Sequence, residues 1–340
     1  MGSTTKKLRF GLWYAFRNPE QWRQPYQDLY REILDQILWA EGLGYHDVWL
    51  TEHHFTPDGH APSPLPLAAA IAAKTEKIRI GTGVMLLPLY NPVRVAEDAA
   101  TIDILSDGRF ELGIGLGYRT EEFSGLGIPR SQRGSRANES LEIIRRLWRG
   151  ESVTFKGRHF DIEAAKIAPR PIQSPHPPIW VGGFSKAAAL RAARLGDGFI
   201  GTGDMEEMAE VYQEELRRLA KEAEKPNLAG GHFWLVVSED PDSTWADISP
   251  HVLYQVNLYA KWLKAAGQDL FPFLQDSKAM KASGILQVVT PAQAIKLITD
   301  YVNRVPIRRY YTWTIPPGFP VAKMNKHIEL FATKVIPHFS

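Results

Sequence analysis

Short, almost unbroken apolar runs alternate with segments of helical period along most of the sequence, and this alternation restricts the fold more than any other feature. Leu8-Arg9-Phe10-Gly11-Leu12-Trp13-Tyr14 reads as a buried strand. Residues 25–43 follow with Tyr26, Tyr30, Ile33, Ile37 and Ala40 at helical spacing, until Gly42 and Gly44 end the helix. Asp47-Val48-Trp49-Leu50-Thr51 is the next strand, succeeded by a proline-rich loop and an alanine-rich helix to residue 73. A strand at 78–85 precedes a helix at 92–105, and a strand at 109–114 precedes a helix at 136–148. Strands that are apolar on both faces belong in a parallel sheet covered by helices. That leaves a closed barrel or an open doubly wound sheet.

Residues 152–178 break the pattern with Pro169, Pro171, Pro175, Pro177 and Pro178 and no helical period, so they read as a long irregular excursion. Strands resume at 178–181, 198–200 and 233–237, with helices at 187–195 and 206–223. Residues 241–290 are the least regular and suggest two helices around a loop. Thr290-Pro291 then caps a helix to 302, 309–313 is an eighth strand, and 322–335 is a closing helix. Eight units with one insertion after the fourth strand favour a (β/α)₈ TIM barrel. A single core of this kind commonly takes about 250 residues or more, so residues 1–340 are expected to form one domain.

Composition narrows the chemistry. With no cysteine, the chain has neither disulfides nor a thiol nucleophile, and redox chemistry must come from a cofactor. A formal charge of +2 offers no field for nucleic acid. Residues 1–7 carry two lysines but lead into no continuous apolar core, and no stretch approaches the roughly 20 apolar residues that span a bilayer. A cytoplasmic protein is expected.

In a barrel the reactive residues gather just past the strand ends. Thr51-Glu52-His53-His54-Phe55 is the strongest such run. Alternation along a strand puts His53 with Trp49 and Thr51, and Glu52 and His54 with Val48 and Leu50, so one histidine at most enters the pocket directly. No metal site is expected, because adjacent strand histidines rarely converge on one ion. His53 is the candidate acid or base, with Glu52 and His54 supporting it. Both histidines could equally be hydrogen-bonded structural groups at a loop start.

Small residues follow three other strands: Gly81-Thr82-Gly83, Gly113-Ile114-Gly115-Leu116-Gly117 and Gly182-Gly183-Phe184-Ser185. They fit a flat ligand lying across the mouth. Ser185 precedes a helix, where backbone N–H groups and a hydroxyl suit a phosphate, unless it is a plain N-cap. Arg133 or Arg136 could pair with the same phosphate. Trp13, Tyr14, Phe55 and Tyr118 are candidate walls.

These pieces, with Asn91-Pro92 through Ile102-Asp103-Ile104-Leu105-Ser106-Asp107-Gly108-Arg109-Phe110 and Ala192-Ala193-Arg194-Leu195-Gly196-Asp197-Gly198, resemble the bacterial luciferase-like flavin-dependent monooxygenases. The resemblance implies FMN, supplied reduced by a separate flavin reductase, and O2 as co-substrate for oxygenating a small organic molecule. It places His53 on the family's active-site histidine, Ser185 on a phosphate-binding serine, and Gly83-Val84 on a non-proline cis peptide against the flavin. It also implies a homodimer and an excursion after strand four; the 152–178 excursion is expected to cover the site. Gly115 and Leu116 stand where luciferase has a cysteine and an arginine, which argues against light emission. Two alternatives stay open: a deazaflavin-dependent hydride transferase on the same barrel, and a non-catalytic flavin-binding protein.

Overall fold

The computed structural model describes residues 8–221 and 226–339. The strands are β1 (Arg9–Tyr14), β2 (Asp47–Leu50), β3 (Arg79–Thr82), β4 (Met85–Leu86), β5 (Phe110–Gly115), β6 (Val153–Lys156), β7 (Asp161–Ala165), β8 (Ile179–Gly182), β9 (Gly198–Ile200), β10 (Leu228–Gly230), β11 (Trp234–Val237), β12 (Leu286–Val289) and β13 (Arg309–Trp313). The helices are α1 (Tyr26–Gly42), α2 (Pro64–Lys74), α3 (Pro92–Leu105), α4 (Thr120–Gly125), α5 (Arg133–Trp148), α6 (Lys186–Leu195), α7 (Glu206–Arg218), α8 (Pro241–Ala265), α9 (Ser277–Ser283), α10 (Pro291–Arg304) and α11 (Val321–Lys334).

One all-parallel sheet runs β3-β2-β1-β13-β10-β9-β8-β5-β4, and β3 also pairs with β5. That pairing closes the sheet, so the fold is an eight-stranded parallel barrel with helices between its strands. The segment expected as one strand at 78–85 is split: β3 meets the start of β5, the chain turns at Gly83-Val84, and β4 meets its end.

Large rings fill the barrel, and glycines make room for them. Trp49 pairs with Gly81 and Trp180 with Gly198 on the neighbouring strand. A Cβ on either glycine would sit 2.4 Å from the facing indole. Trp13, Tyr311, Ile200 and Ala229 complete this layer. Beneath it, at the N-terminal end, lies a charged floor. Arg309 donates to Glu111 from both terminal nitrogens at 2.6 and 2.9 Å, Arg79 donates to the same carboxylate, and the Trp180 indole N–H adds a bond at 2.6 Å. Burial pushes the Glu111 carboxyl up, but the two arginines outweigh it and hold it below the usual range.

Three sequence expectations need correcting. The seventh barrel strand is β10, whereas the run expected there, β11, leaves the ring and pairs only with β12, a strand the sequence did not suggest. The stretch 241–290 holds the two helices expected around a loop, α8 and α9, and then the unexpected β12. Third, the 152–178 excursion, expected to be irregular, contains an antiparallel hairpin, β6–β7. The hairpin lies outside α5, where Glu139 accepts from the Arg158 and His159 N–H groups. Its return leg passes under the barrel, where Gln173 donates to Asp103 and to the carbonyl of Phe110 at the start of β5. Residues 1–7, and the end of the helix expected at 206–223, lie outside the described residues.

Candidate active site

Past the end of β2 the backbone keeps its alternation for three more residues, which sends successive side chains to opposite sides. His53 points to the mouth, and its Nδ1 lies 2.8 Å from Oε1 of Glu122 on α4. The same carboxylate accepts from the His54 N–H at 3.0 Å and from Arg119 at 3.3 Å. Burial raises the Glu122 carboxyl, yet the His53 bond and charge, the His54 N–H and Arg119 together hold it below the usual range. An ionised carboxylate only accepts, so His53 donates from Nδ1, which leaves Nε2 as the nitrogen that faces the mouth. Nε2 stands 3.3 Å from the Tyr118 hydroxyl, a phenol that burial keeps protonated.

Glu52, expected beside His53, braces the other side. It accepts from His54 Nε2 at 2.7 Å, the Leu86 N–H at 3.0 Å and the Tyr90 hydroxyl at 2.9 Å, tying the end of β2 to β4. Burial draws the His54 pKa down, but the Glu52 bond and charge raise it overall. His60 also faces His53, with ring centroids 4.8 Å apart. Its Nε2 lies 2.6 Å from the Thr51 hydroxyl, and burial holds this imidazole well below the ordinary range, hence neutral. Of the expected walls, Trp13 and Tyr118 flank the mouth. Tyr14 faces outward to Gln36, and Phe55 is 59% exposed.

The Gly83–Val84 peptide is cis, as the family resemblance implied. The packing around Val84 changes the meaning of the glycines. Val84 projects between Gly115 and Gly182, where an added Cβ would lie 2.4 and 2.5 Å from its two methyl carbons. The glycines therefore seat a valine platform instead of exposing bare backbone. Gly117 adopts φ +76° against Phe123, and a Cβ on Gly183 would fall 2.6 Å from Ala188. Alanine at Gly115 is expected to destabilise the fold by about 1–3 kcal/mol through overpacking. Val84→Ala should recover most of that loss in the double variant; thermal melts showing simple additivity would contradict the seat.

Ser185 caps α6, accepting from the Ala188 N–H at 3.3 Å, and Phe184 beside it is half exposed. Arg191, on the second turn of α6, was not singled out from sequence. Burial and the charge of Arg133 depress its pKa, and burial and Arg130 depress that of Arg133. Among the described residues no carboxylate forms an ion pair with either. Arg136 turns elsewhere: its Nε donates to the Pro88 carbonyl at 3.1 Å and its guanidinium stacks on Phe160. The two arginines expected as alternatives are thus separated, and Arg133 is the one that faces the capped helix.

The cover over the mouth comes from α8. Tyr259 and Trp262 stand 5.8 and 5.2 Å from the His53 ring, and the Arg119 guanidinium lies 4.3 Å from the centre of the Trp262 ring. Among the described residues no three His, Asp or Glu side chains converge as metal ligands, and no helix is long and apolar enough to cross a membrane.

The family model described as luciferase-like monooxygenase matches residues 8–304. The chain belongs to the luciferase-like monooxygenase family. Its similarity to the oxygenase component of the flavin-dependent trigonelline monooxygenase of Acinetobacter baylyi is 26% identity, across 98% of this chain and 96% of that protein. An F420-dependent glucose-6-phosphate dehydrogenase of Amycolatopsis mediterranei is 36% identical over 56% of this chain and 59% of its own length. Matches to two uncharacterised proteins of Sinorhizobium fredii, at 36% and 37% identity, span about half of each, 47% and 49%. In structure, the monooxygenase RslO1 of Streptomyces bottropensis superposes with a TM-score of 0.86 at 23% identity, covering 98% of this chain and 100% of that one, a likeness of fold. Relatives within this luciferase-like family thus use either a flavin or the deazaflavin F420.

Proposed function

We propose that the chain is the oxygenase component of a two-component FMN-dependent monooxygenase, taking reduced FMN from a separate reductase in the cytoplasm and oxygenating a small organic substrate. The observation that favours it over a deazaflavin enzyme is the extent of sequence likeness: that to a flavin-dependent oxygenase component covers 98% of this chain and 96% of that protein, while that to an F420-dependent dehydrogenase covers 56% and 59%; in fold alone, an F420-dependent secondary alcohol dehydrogenase matches over 98% of this chain as well. His53 itself suits either cofactor.

The residues present fit a flavin. Val84, seated on Gly115 and Gly182, supplies an apolar platform for a planar ring, and Ser185 with the open N-terminal turn of α6 supplies N–H donors for a phosphate. Arg133 and Arg191 bring two cations with no carboxylate in an ion pair with either. When bound, reduced FMN supplies the activation of O2. The chain's own part is to exclude water with the α8 rings and to move a proton at His53 Nε2, with Glu122 fixing the tautomer on the opposite nitrogen.

Anaerobic titrations followed by protein fluorescence are expected to show reduced FMN binding at least about tenfold more tightly than F420. In Arg191→Ala the FMN affinity should fall roughly 10–100-fold, the worth of one charged hydrogen bond, while riboflavin binding stays unchanged. Preferential binding of F420 would overturn the reading.

A further inference from the structure

Arg17, just past β1, is buried at the mouth in an unusual state. Its Nε donates to Asp58 Oδ2 at 2.6 Å, and the two side chains are 1% and 0% exposed. Both terminal nitrogens, Nη1 and Nη2, lack any acceptor among the described residues. A guanidinium carries five N–H donors in a rigid plane. Here one is used and four are buried unused, although leaving buried donors unmade is costly.

The surroundings say what the donors face. The guanidinium carbon lies 5.3 Å from the Tyr259 ring centre and 5.5 Å from that of Trp262. Those are the two rings that stand over His53. Arg17 and His53 therefore lie against the same two α8 rings, which close over both. Ring faces balance part of a cation's charge but accept no hydrogen bonds in the plane of the fork. Asp58 neutralises the cation and fixes its orientation through Nε, which leaves the paired Nη edge for a second anion. Two parallel N–H donors match the two oxygens of a carboxylate.

We propose that Arg17 binds the carboxylate of the substrate, so that the substrate is an organic acid whose apolar ring or chain lies along Tyr259 and Trp262 and reaches toward His53. This rests on the reading of the His53 mouth as the reacting site. Were Arg17 only a clasp for α8, its loss would loosen the cover without distinguishing acids from neutral isosteres.

The test uses the full chain, titrated by tryptophan fluorescence with benzoate, phenylacetate and nicotinate and with the three matching amides. At least one acid is expected to bind about tenfold or more tightly than its amide. That preference should fall below about twofold in Arg17→Met and be intermediate in Arg17→Lys, which keeps the charge without the fork. The proposal fails if no acid outbinds its amide in the unsubstituted chain, a result that needs no variant to fold. It also fails if the preference survives both substitutions. FMN binding on the same samples separates the two readings. Acid preference without flavin binding would remove the proposed function and leave the carboxylate site; flavin binding without acid preference would do the reverse.

Discussion

Replacing His53 with alanine is expected to lower turnover by about 10²–10⁴-fold, the usual worth of a positioned proton-transfer group, while reduced FMN binding changes by less than about threefold. The expectation follows from the tautomer. Glu122 is buried, ionised and bonded to Nδ1, so Nε2 is the nitrogen available to a reacting group at the mouth. Glu122→Gln should lower turnover as well, because an amide can donate to Nδ1 and favour the opposite tautomer. The measurement is product formed per reduced FMN consumed, with any substrate that the unsubstituted chain turns over. Undiminished turnover in His53→Ala would refute the catalytic assignment and favour a flavin-binding role alone.

The largest expected effect on stability lies at the other end of the barrel. Glu111→Ala would leave Arg309 buried opposite Arg79 with no carboxylate between them, and Asp47, at 4.0 Å, is too distant to replace the lost bonds. Breaking a buried pair from one side costs about 3–5 kcal/mol. The melting temperature should then fall by roughly 4–7 °C. Glu111→Met with Arg309→Met should melt higher than Glu111→Ala, since it removes the stranded charge as well. A melt for Glu111→Ala within about 2 °C of the unsubstituted chain would show that the floor relaxes or hydrates instead.

Much of the barrel was legible because its strands are short apolar runs with helices between them, and parity alone put His53 on the Trp49 side of β2. The seventh strand was misplaced for an equally physical reason. Leu228-Ala229-Gly230 is only three residues long, with no β-branched or aromatic side chain, and Trp234-Leu235-Val236-Val237 outcompetes it as a pattern while pairing outside the ring. Glu122 could not be found from sequence, because its bond to His53 spans 69 positions and nothing in Thr120-Glu121-Glu122-Phe123 marks one carboxylate over the other. The glycines after the strands were visible as a group, but their tenant was not: Val84 fills the hollow they leave. Arg191 was hidden in an alanine-rich helix, and Arg17 in a loop where a lone arginine is ordinarily solvated.

The cover has a property of its own. The stretch from α8 to α9 leaves the ring through β11 and returns through β12, and those two strands pair only with each other. They work as a hinge plate beside the barrel, holding both ends of the stretch together and tied to β13 where the Trp313 N–H donates to the Phe233 carbonyl and the Leu235 N–H to the Thr312 hydroxyl. Such a cassette can lengthen, shorten or change its rings while Val84, Ser185 and Arg191 stay where they are. In this architecture the cover over the mouth and the platform beneath it can be revised on separate schedules.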